Sequence, residues 1–184
     1  HNDDKYGYAL GVGVGFNLPQ LGKGDNIAAQ FTYAKGATGY NIRAAAFSIT
    51  KSSNTVAATI EDAVCAAPLA AGGGAGCQLT TSWSAAGAYE HNWNSHWKTS
   101  IYGGYVKVDH STAAEGILGI APGAADYSFY QIGSRTVWTP VKNLDLSVDV
   151  MYNNLKGAPA SQVGTNTRDD VWAGIVRAQR NFWP

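Results

Sequence analysis

From Tyr6 to Leu18 the chain reads YGYALGVGVGFNL. Tyr6, Tyr8, Leu10, Val12, Val14, Phe16 and Leu18 alternate with Gly7, Ala9, Gly11, Gly13 and Gly15. Successive residues of a strand point to opposite faces, so this stretch is a β-strand with one apolar face and one nearly bare face. Pro19 to Asp25, punctuated by Pro19, Gly22 and Gly24, then forms a short turn. GVGVG at Gly11–Gly15 lacks the full GxGxxG spacing and no helix follows it, which excludes a nucleotide loop. Glycine at every second strand position suits a lumen that must stay open, or the close approach of a neighbour.

The same period returns six times. Ile27, Ala29, Phe31 and Tyr33 alternate with Asn26, Ala28, Gln30 and Thr32. Trp83, Ala85, Gly87 and Tyr89 oppose Ser82, Ser84, Ala86, Ala88 and Glu90. Trp97, Thr99, Ile101, Gly103 and Tyr105 oppose Lys98, Ser100, Tyr102 and Gly104. Tyr130, Ile132, Thr136 and Trp138 oppose Gln131, Gly133 and Arg135. Leu144, Leu146, Val148, Val150 and Tyr152 oppose Asp145, Ser147, Asp149 and Met151. Trp172, Gly174, Val176, Ala178 and Phe182 oppose Arg177, Gln179 and Asn181. Strands of roughly ten residues have the length that a tilted strand needs to cross a bilayer.

Connection lengths alternate. Pro19–Gly24, His91–His96 and Pro140–Asn143 are short, whereas 36–79, 109–126 and 153–169 are long. That asymmetry predicts an up-and-down transmembrane barrel with tight periplasmic turns and long external loops. The rings fit the same reading. Tyr6, Tyr8, Tyr33, Trp83, Tyr105, Tyr130, Tyr152 and Trp172 fall at the external strand ends; Phe16, Tyr89, Trp97, Trp138 and Phe182 fall at the periplasmic ends. Two aromatic girdles around a plain apolar band are what two water–lipid interfaces select.

Composition narrows the class. Only 14% of the 184 residues are charged, well below the roughly 25% of a typical soluble domain. A soluble β-sandwich also alternates, but its outward face needs charge, and here that face is Gly, Ala, Ser, Asn and Gln. No run of about 18 apolar residues predicts a transmembrane helix. The formal net charge is zero, which gives no reason to expect nucleic acid as a partner. The start at His1-Asn2-Asp3-Asp4 reads as a mature or truncated end.

Cys65 and Cys77, in a Gly/Ala-rich loop without a nearby His, favour a loop disulfide over two unpaired thiols, worth roughly 3 kcal/mol in the chain-entropy model. His91 and His96 flank Trp93 in a turn and lack a third ligand, so they read as interfacial residues and no metal is expected. Asp3-Asp4 and Asp169-Asp170 read as solvated loop charge, with divalent cations bridging lipopolysaccharide as the sharper alternative. No nucleophile or acid–base pair has a recognisable spacing, so neither an enzyme nor a cofactor is expected; a membrane hydrolase, whose catalytic groups would meet only in the fold, is the remaining alternative.

The functional candidates are the charges opposite the apolar face: Glu90, Lys98, Arg135, Asp145, Asp149 and Arg177. Unpaired in a dry core each would be costly, whereas facing a wet channel they are solvated and bias which ions enter. A local ion pair between Arg135 and Asp145 or Asp149 is the competing reading, decided by register. Arg180 breaks the pattern, because its parity puts it on the apolar face near the periplasmic end, where it snorkels or meets a neighbouring subunit.

VWTPVKNLDLSVDVMYNNL at Val137–Leu155, a strand–Pro-turn–strand hairpin, and DDVWAGIVRAQRNFWP at Asp169–Pro184, a closing strand ending in aromatics, resemble the porins of alphaproteobacteria, especially the Brucella type of the Rhizobiales. The Cys-bearing loop also resembles that family. The resemblance implies a homotrimer of sixteen-stranded outer-membrane barrels, each strand set crossing the membrane of a Gram-negative bacterium. Such barrels pass small hydrophilic solutes and ions by diffusion and contact outer-membrane lipid and lipopolysaccharide. On that reading residues 1–184 are a single C-terminal segment supplying about seven strands, without the loop that usually constricts the channel. An eighth strand over Asn41–Thr50, poorly patterned with Arg43 amid Ala44-Ala45-Ala46, would instead let the piece close as a small barrel. A small plugged barrel acting structurally or adhesively through its loops is the alternative function.

Overall fold

Residue parity becomes architecture through strand pairing. A computed structural model describes residues 5–42, 46–51, 54–59, 61–66, 76–119, 121–157 and 170–182. Seven long strands form one antiparallel sheet: β1 (Tyr8–Asn17), β2 (Asn26–Lys35), β7 (Thr81–Asn92), β8 (Trp97–Asp109), β9 (Tyr127–Val141), β10 (Leu144–Lys156) and β11 (Asp170–Arg180). They lie side by side in chain order, each paired with the next. The remaining elements stand in the long connections: a 3-10 turn (Thr38–Tyr40), the hairpin β3 (Ala46–Lys51) and β4 (Asn54–Thr59), the hairpin β5 (Ala63–Cys65) and β6 (Cys77–Leu79), and helix α1 (Thr112–Leu118).

Register preserves parity across all six pairings. Val12 opposes Phe31, Tyr33 opposes Trp83, Trp97 opposes Trp138 and Tyr152 opposes Trp172. A one-residue slip anywhere would turn the apolar set over, so the side-chain pattern itself holds the register. The single irregularity lies between Leu144 and Leu146 against β9. Pro140, which has no N–H for the ladder, sits beside that shift. Asn143 closes the two-residue β9–β10 turn with φ 67°, a left-handed conformation that Asn tolerates.

Between its ends the apolar face is exposed, with nothing among the described residues packed on it. Leu10 is 68% exposed, Val12 63% and Val176 83%. The buried cluster lies instead on the opposite face, at the end of the long loops: Leu155 (0%), Val108 (1%) and Tyr127 (3%), with Ile42, Val106, Phe129 and Val171 packed against them. Among the described residues no strand pairs with the outer edge of β1 or of β11.

Several expected boundaries move. Strand β7 runs through His91 to Asn92 and β9 through Pro140 to Val141, which shortens both turns. Strand β10 runs on to Lys156, so the loop expected from 153 begins at Gly157, and Asn153, Asn154 and Leu155 are paired with Gln131, Tyr130 and Phe129. The region expected as an eighth strand does hold β3, but β3 pairs with β4 in a separate sheet and closes no barrel.

Candidate functional site on the polar face

Register gathers the six charged candidates. One row across the polar face reads Asn26, Glu90, Ser100, Arg135, Asp149 and Ile175. The adjacent row, nearer the short turns, reads Asn92, Lys98, Val137, Ser147 and Arg177. Asp145, opposite Gln179, lies one row further toward the turns. The charges therefore form a belt confined to the short-turn end of the face.

Within the belt the acids are engaged. Lys98 Nζ lies 3.3 Å from Glu90 Oε2, which also accepts the Ser100 hydroxyl at 3.1 Å. Asp145 accepts the Thr139 hydroxyl at 2.6 Å. Arg135 stands directly opposite Asp149, so the register permits the competing ion pair. Among the described residues it does not form within salt-bridge distance. Asp149 instead accepts the Tyr102 hydroxyl at 2.5 Å. Tyr102 reaches it by lying over Gly133, where an added Cβ would come within 2.6 Å of the phenol ring. Neither Arg135 nor Arg177 has an ion-pair partner among the described residues.

Beside the belt, small side chains leave a depression of about 630 Å³, lined on this face by Gly13, Ala28, Gln30, Ala88, Tyr102 and Gln131. Beyond it, toward the long loops, the face changes character. Asn41 donates to Ser82 Oγ at 2.8 Å and accepts the Ser84 hydroxyl at 2.6 Å, and Ile42 joins the buried cluster. At this end the face is packed rather than open. The strand residues of matching parity there are Val106, Val108, Tyr127, Phe129 and Leu155, and loop residues cover them.

The girdle residues within the strands lie on the apolar face in two bands, whereas Tyr102, Tyr127 and Phe129 share the parity of the polar face. At the long-loop end Tyr8 meets Tyr33 (6.2 Å between ring centroids), Trp83 meets Tyr105 (5.0 Å), and Tyr152 meets both Tyr130 (5.8 Å) and Trp172 (5.1 Å). At the other end Trp97 and Trp138 stack at 5.6 Å, with Phe16 and Phe182 exposed. Tyr6 precedes β1 and is 90% exposed. Arg180 is on the apolar face opposite Leu144.

Tyr89 and His91 belong to a cluster that the sequence did not reveal. Asp25, 1% exposed in the β1–β2 connection, accepts the Asn92 N–H (2.8 Å) and the Tyr89 hydroxyl (2.8 Å), with His91 Nδ1 at 2.6 Å. Burial alone would raise its pKa, but these hydrogen bonds outweigh it and hold the carboxyl at about 2. His96 Nδ1 is bonded at 2.8 Å to the Thr139 carbonyl. Neither His belongs to a metal-binding group, and among the described residues no such group of His, Cys, Asp or Glu occurs.

The long loops are fastened to one another. Cys65 and Cys77 form a disulfide that closes the β5–β6 hairpin, with their Cα atoms 4.0 Å apart. Helix α1, capped by Ser111 accepting the Ala114 N–H, lies against this hairpin. His110, its side chain 2% exposed, places Nε2 3.2 Å from Glu61 and Nδ1 3.7 Å from Asp126. Glu115 is buried beside them. Backbone N–H groups of Ala125 and Gly123 donate to it and lower its pKa. Asp169, with Asp3 and Asp4, lies outside the described residues; Asp170 opens β11 opposite Asn154.

An antiparallel meander with one bare apolar face, one polar face, tight turns at one end and elaborated loops at the other defines a porin-type β-protein. The chain belongs to the porin family: the family model described as "Porin subfamily" matches residues 1–183. No curated protein and no solved structure shows a significant match to the chain.

Proposed function

We propose that this chain supplies strands to an outer-membrane porin, a water-filled channel that passes small hydrophilic solutes and ions by diffusion. The observation that carries the reading is the division of the sheet. Large apolar side chains from Leu10 to Val176 stand exposed on one face between two bands of rings, while Glu90, Lys98, Arg135, Asp145, Asp149 and Arg177 stand on the other. In lipid the first face costs nothing to expose, and the charges need water on the second. Exposed backbone edges are not tolerated in hydrocarbon, so β1 and β11 require further strands. Porin family membership, which belongs to the outer membrane of Gram-negative bacteria, fits a larger barrel. The resemblance to sixteen-stranded trimers supplies its size and its homotrimeric state. Outer-membrane lipid and lipopolysaccharide then contact the apolar face.

The experiment is single-channel conductance of the whole protein in a planar bilayer. Uniform steps recurring in threes, lost on boiling, are expected. Arg135→Glu should shift the reversal potential toward cations and Asp149→Lys toward anions. Stable insertion without conductance overturns the channel. It would leave a plugged barrel working through its loops, a reading that the covered long-loop end of the polar face favours.

A further inference from the structure

We propose that the apolar face carries, at its long-loop end, a binding site for the phosphorylated headgroup of a lipid, built around Lys35 in the wall of a cavity of about 410 Å³. The proposal rests on the reading above that this face meets lipid and that the long loops are external.

Parity and register place the site. Lys35 follows Phe31 and Tyr33 on the apolar face of β2, and the row through it reads Tyr8, Lys35, Thr81 and Asp109. The next row of the same face, nearer the middle of the sheet, reads Leu10, Tyr33, Trp83 and Lys107. Tyr33 and Trp83 belong to the outer aromatic band, which marks the level where hydrocarbon gives way to headgroups. Lys35 lies two residues past Tyr33, or about 7 Å along the strand. A cation at that height stands among headgroups.

The walls come from the sheet and from the loops. Lys35, Thr81 and Asp109 line the cavity from the sheet, and Lys5, Gln78 and Ser111 from the other side. These parts are tied together. The Cys65–Cys77 disulfide closes the hairpin that carries Gln78, and Lys5 Nζ donates to the Cys77 carbonyl at 2.5 Å. Gly36 N–H, next to Lys35, donates to the Thr80 carbonyl at 2.8 Å, beside Thr81.

Charge decides the class of ligand. The ammonium groups of Lys5 and Lys35 line the cavity with a single carboxylate, Asp109, and Lys107 Nζ already holds that carboxylate at 2.7 Å. The lining is therefore cationic, and Thr81, Ser111 and Gln78 add hydroxyl and amide donors. His110 also borders the cavity, but its buried ring is engaged with Glu61 at 3.2 Å. Lys35 is exposed and makes no ion pair among the described residues. A phosphomonoester, with its negative charge and acceptor oxygens, complements this set. The apolar band beside it selects the source of the phosphate. Acyl chains on the same headgroup pack along Leu10, Tyr33 and Trp83, whereas a free anion gains nothing from them.

The test is native mass spectrometry of the full-length protein in detergent, titrated with phosphatidic acid, with phosphatidylcholine of the same chains, and with inorganic phosphate. Phosphatidic acid should bind roughly tenfold more tightly than phosphatidylcholine, and inorganic phosphate at equal concentration should not displace it. Lys35→Glu should abolish the preference and Lys35→Arg should keep it. Lys142→Glu, in a short turn at the opposite end, should leave it unchanged. Heat-modifiable gel mobility verifies that each variant has folded. Equal binding of the two lipids, or a folded Lys35→Glu protein with the preference intact, overturns the site. Displacement by inorganic phosphate at equal concentration overturns the lipid as its occupant and makes it a site for a soluble anion. Conductance in the planar bilayer is read separately: a protein that prefers the phosphorylated lipid yet never conducts overturns the channel and leaves this site standing.

Discussion

At the short-turn end of the polar face Arg177 is exposed, and Glu90, Lys98 and Arg135 are half-buried. At the long-loop end of the same face Val108, Tyr127 and Leu155 are buried to 1%, 3% and 0% exposure. Parity is unbroken from Leu146 to Lys156 of β10 and along the strands facing it, so the difference does not arise in the sheet. It arises from what each end is connected to. A turn of two residues such as Lys142–Asn143 cannot fold back over anything, whereas the connection after β2 lays Asn41 and Ile42 on the sheet. Alternation thus determines which face a residue occupies, and loop length determines whether that face is wet.

The sharpest way to break the comparison is to remove bulk at the packed end. Leu155→Ala should cost about 2–5 kcal/mol, as for other buried leucines. Val176→Ala, on the bare apolar face, should cost much less. Urea titration of the protein in lipid vesicles measures both, and equal losses would mean that the cluster is not a packed core. Next in size is a charge placed on either side of one strand. Val150→Arg on the apolar face should lose about 2–4 kcal/mol near the bilayer midplane, whereas Met151→Arg, its neighbour on the polar face, should lose a small fraction of that in the same titration.

The faces of this fold were legible in the sequence because period two survives any register that keeps the apolar set together. Apart from Leu18, which lies beyond β1, and Leu144, which faces Val141 at the β9–β10 irregularity, the strand residues assigned to the apolar face are paired with others of that face. Register itself was not legible: nothing local in the sequence shows that Arg135 opposes Asp149, or that Tyr102 crosses Gly133 to reach Asp149 first. The Asp25–His91 contact spans 66 positions, and each partner alone looks like an ordinary turn residue. The burial of Leu155 was hidden for another reason: Val106, Phe129 and Leu155 share the parity of Gln131 and Asp149, and only the fold of a distant loop separates them.

Two smaller effects sharpen the wet end. Tyr102→Phe releases Asp149 to pair with Arg135. Removing Arg135 should then alter ion preference less in the Tyr102→Phe background than in wild type, by reversal potential; an equal change in both would mean that Tyr102 does not position Asp149. The smallest effect concerns pH. Asp25 has a folded pKa of about 2, below its ordinary value near 3.9. Its contribution to stability is therefore complete above roughly pH 4 and is lost as the pH falls toward 2. Asp25→Asn should flatten that part of the stability profile measured by acid titration in vesicles. An unchanged slope would show that the carboxylate is not the group responsible.

The central claim is that one face of this sheet meets lipid and the other water. Both native cysteines are in the disulfide, with none free, so single cysteines placed at Val148, Asp149, Val150 and Met151 would report alone. Reaction with a membrane-impermeant, water-soluble thiol reagent, on the protein in lipid vesicles, should be fast at 149 and 151 and slow at 148 and 150. Uniform reactivity, or the opposite alternation, would contradict the account.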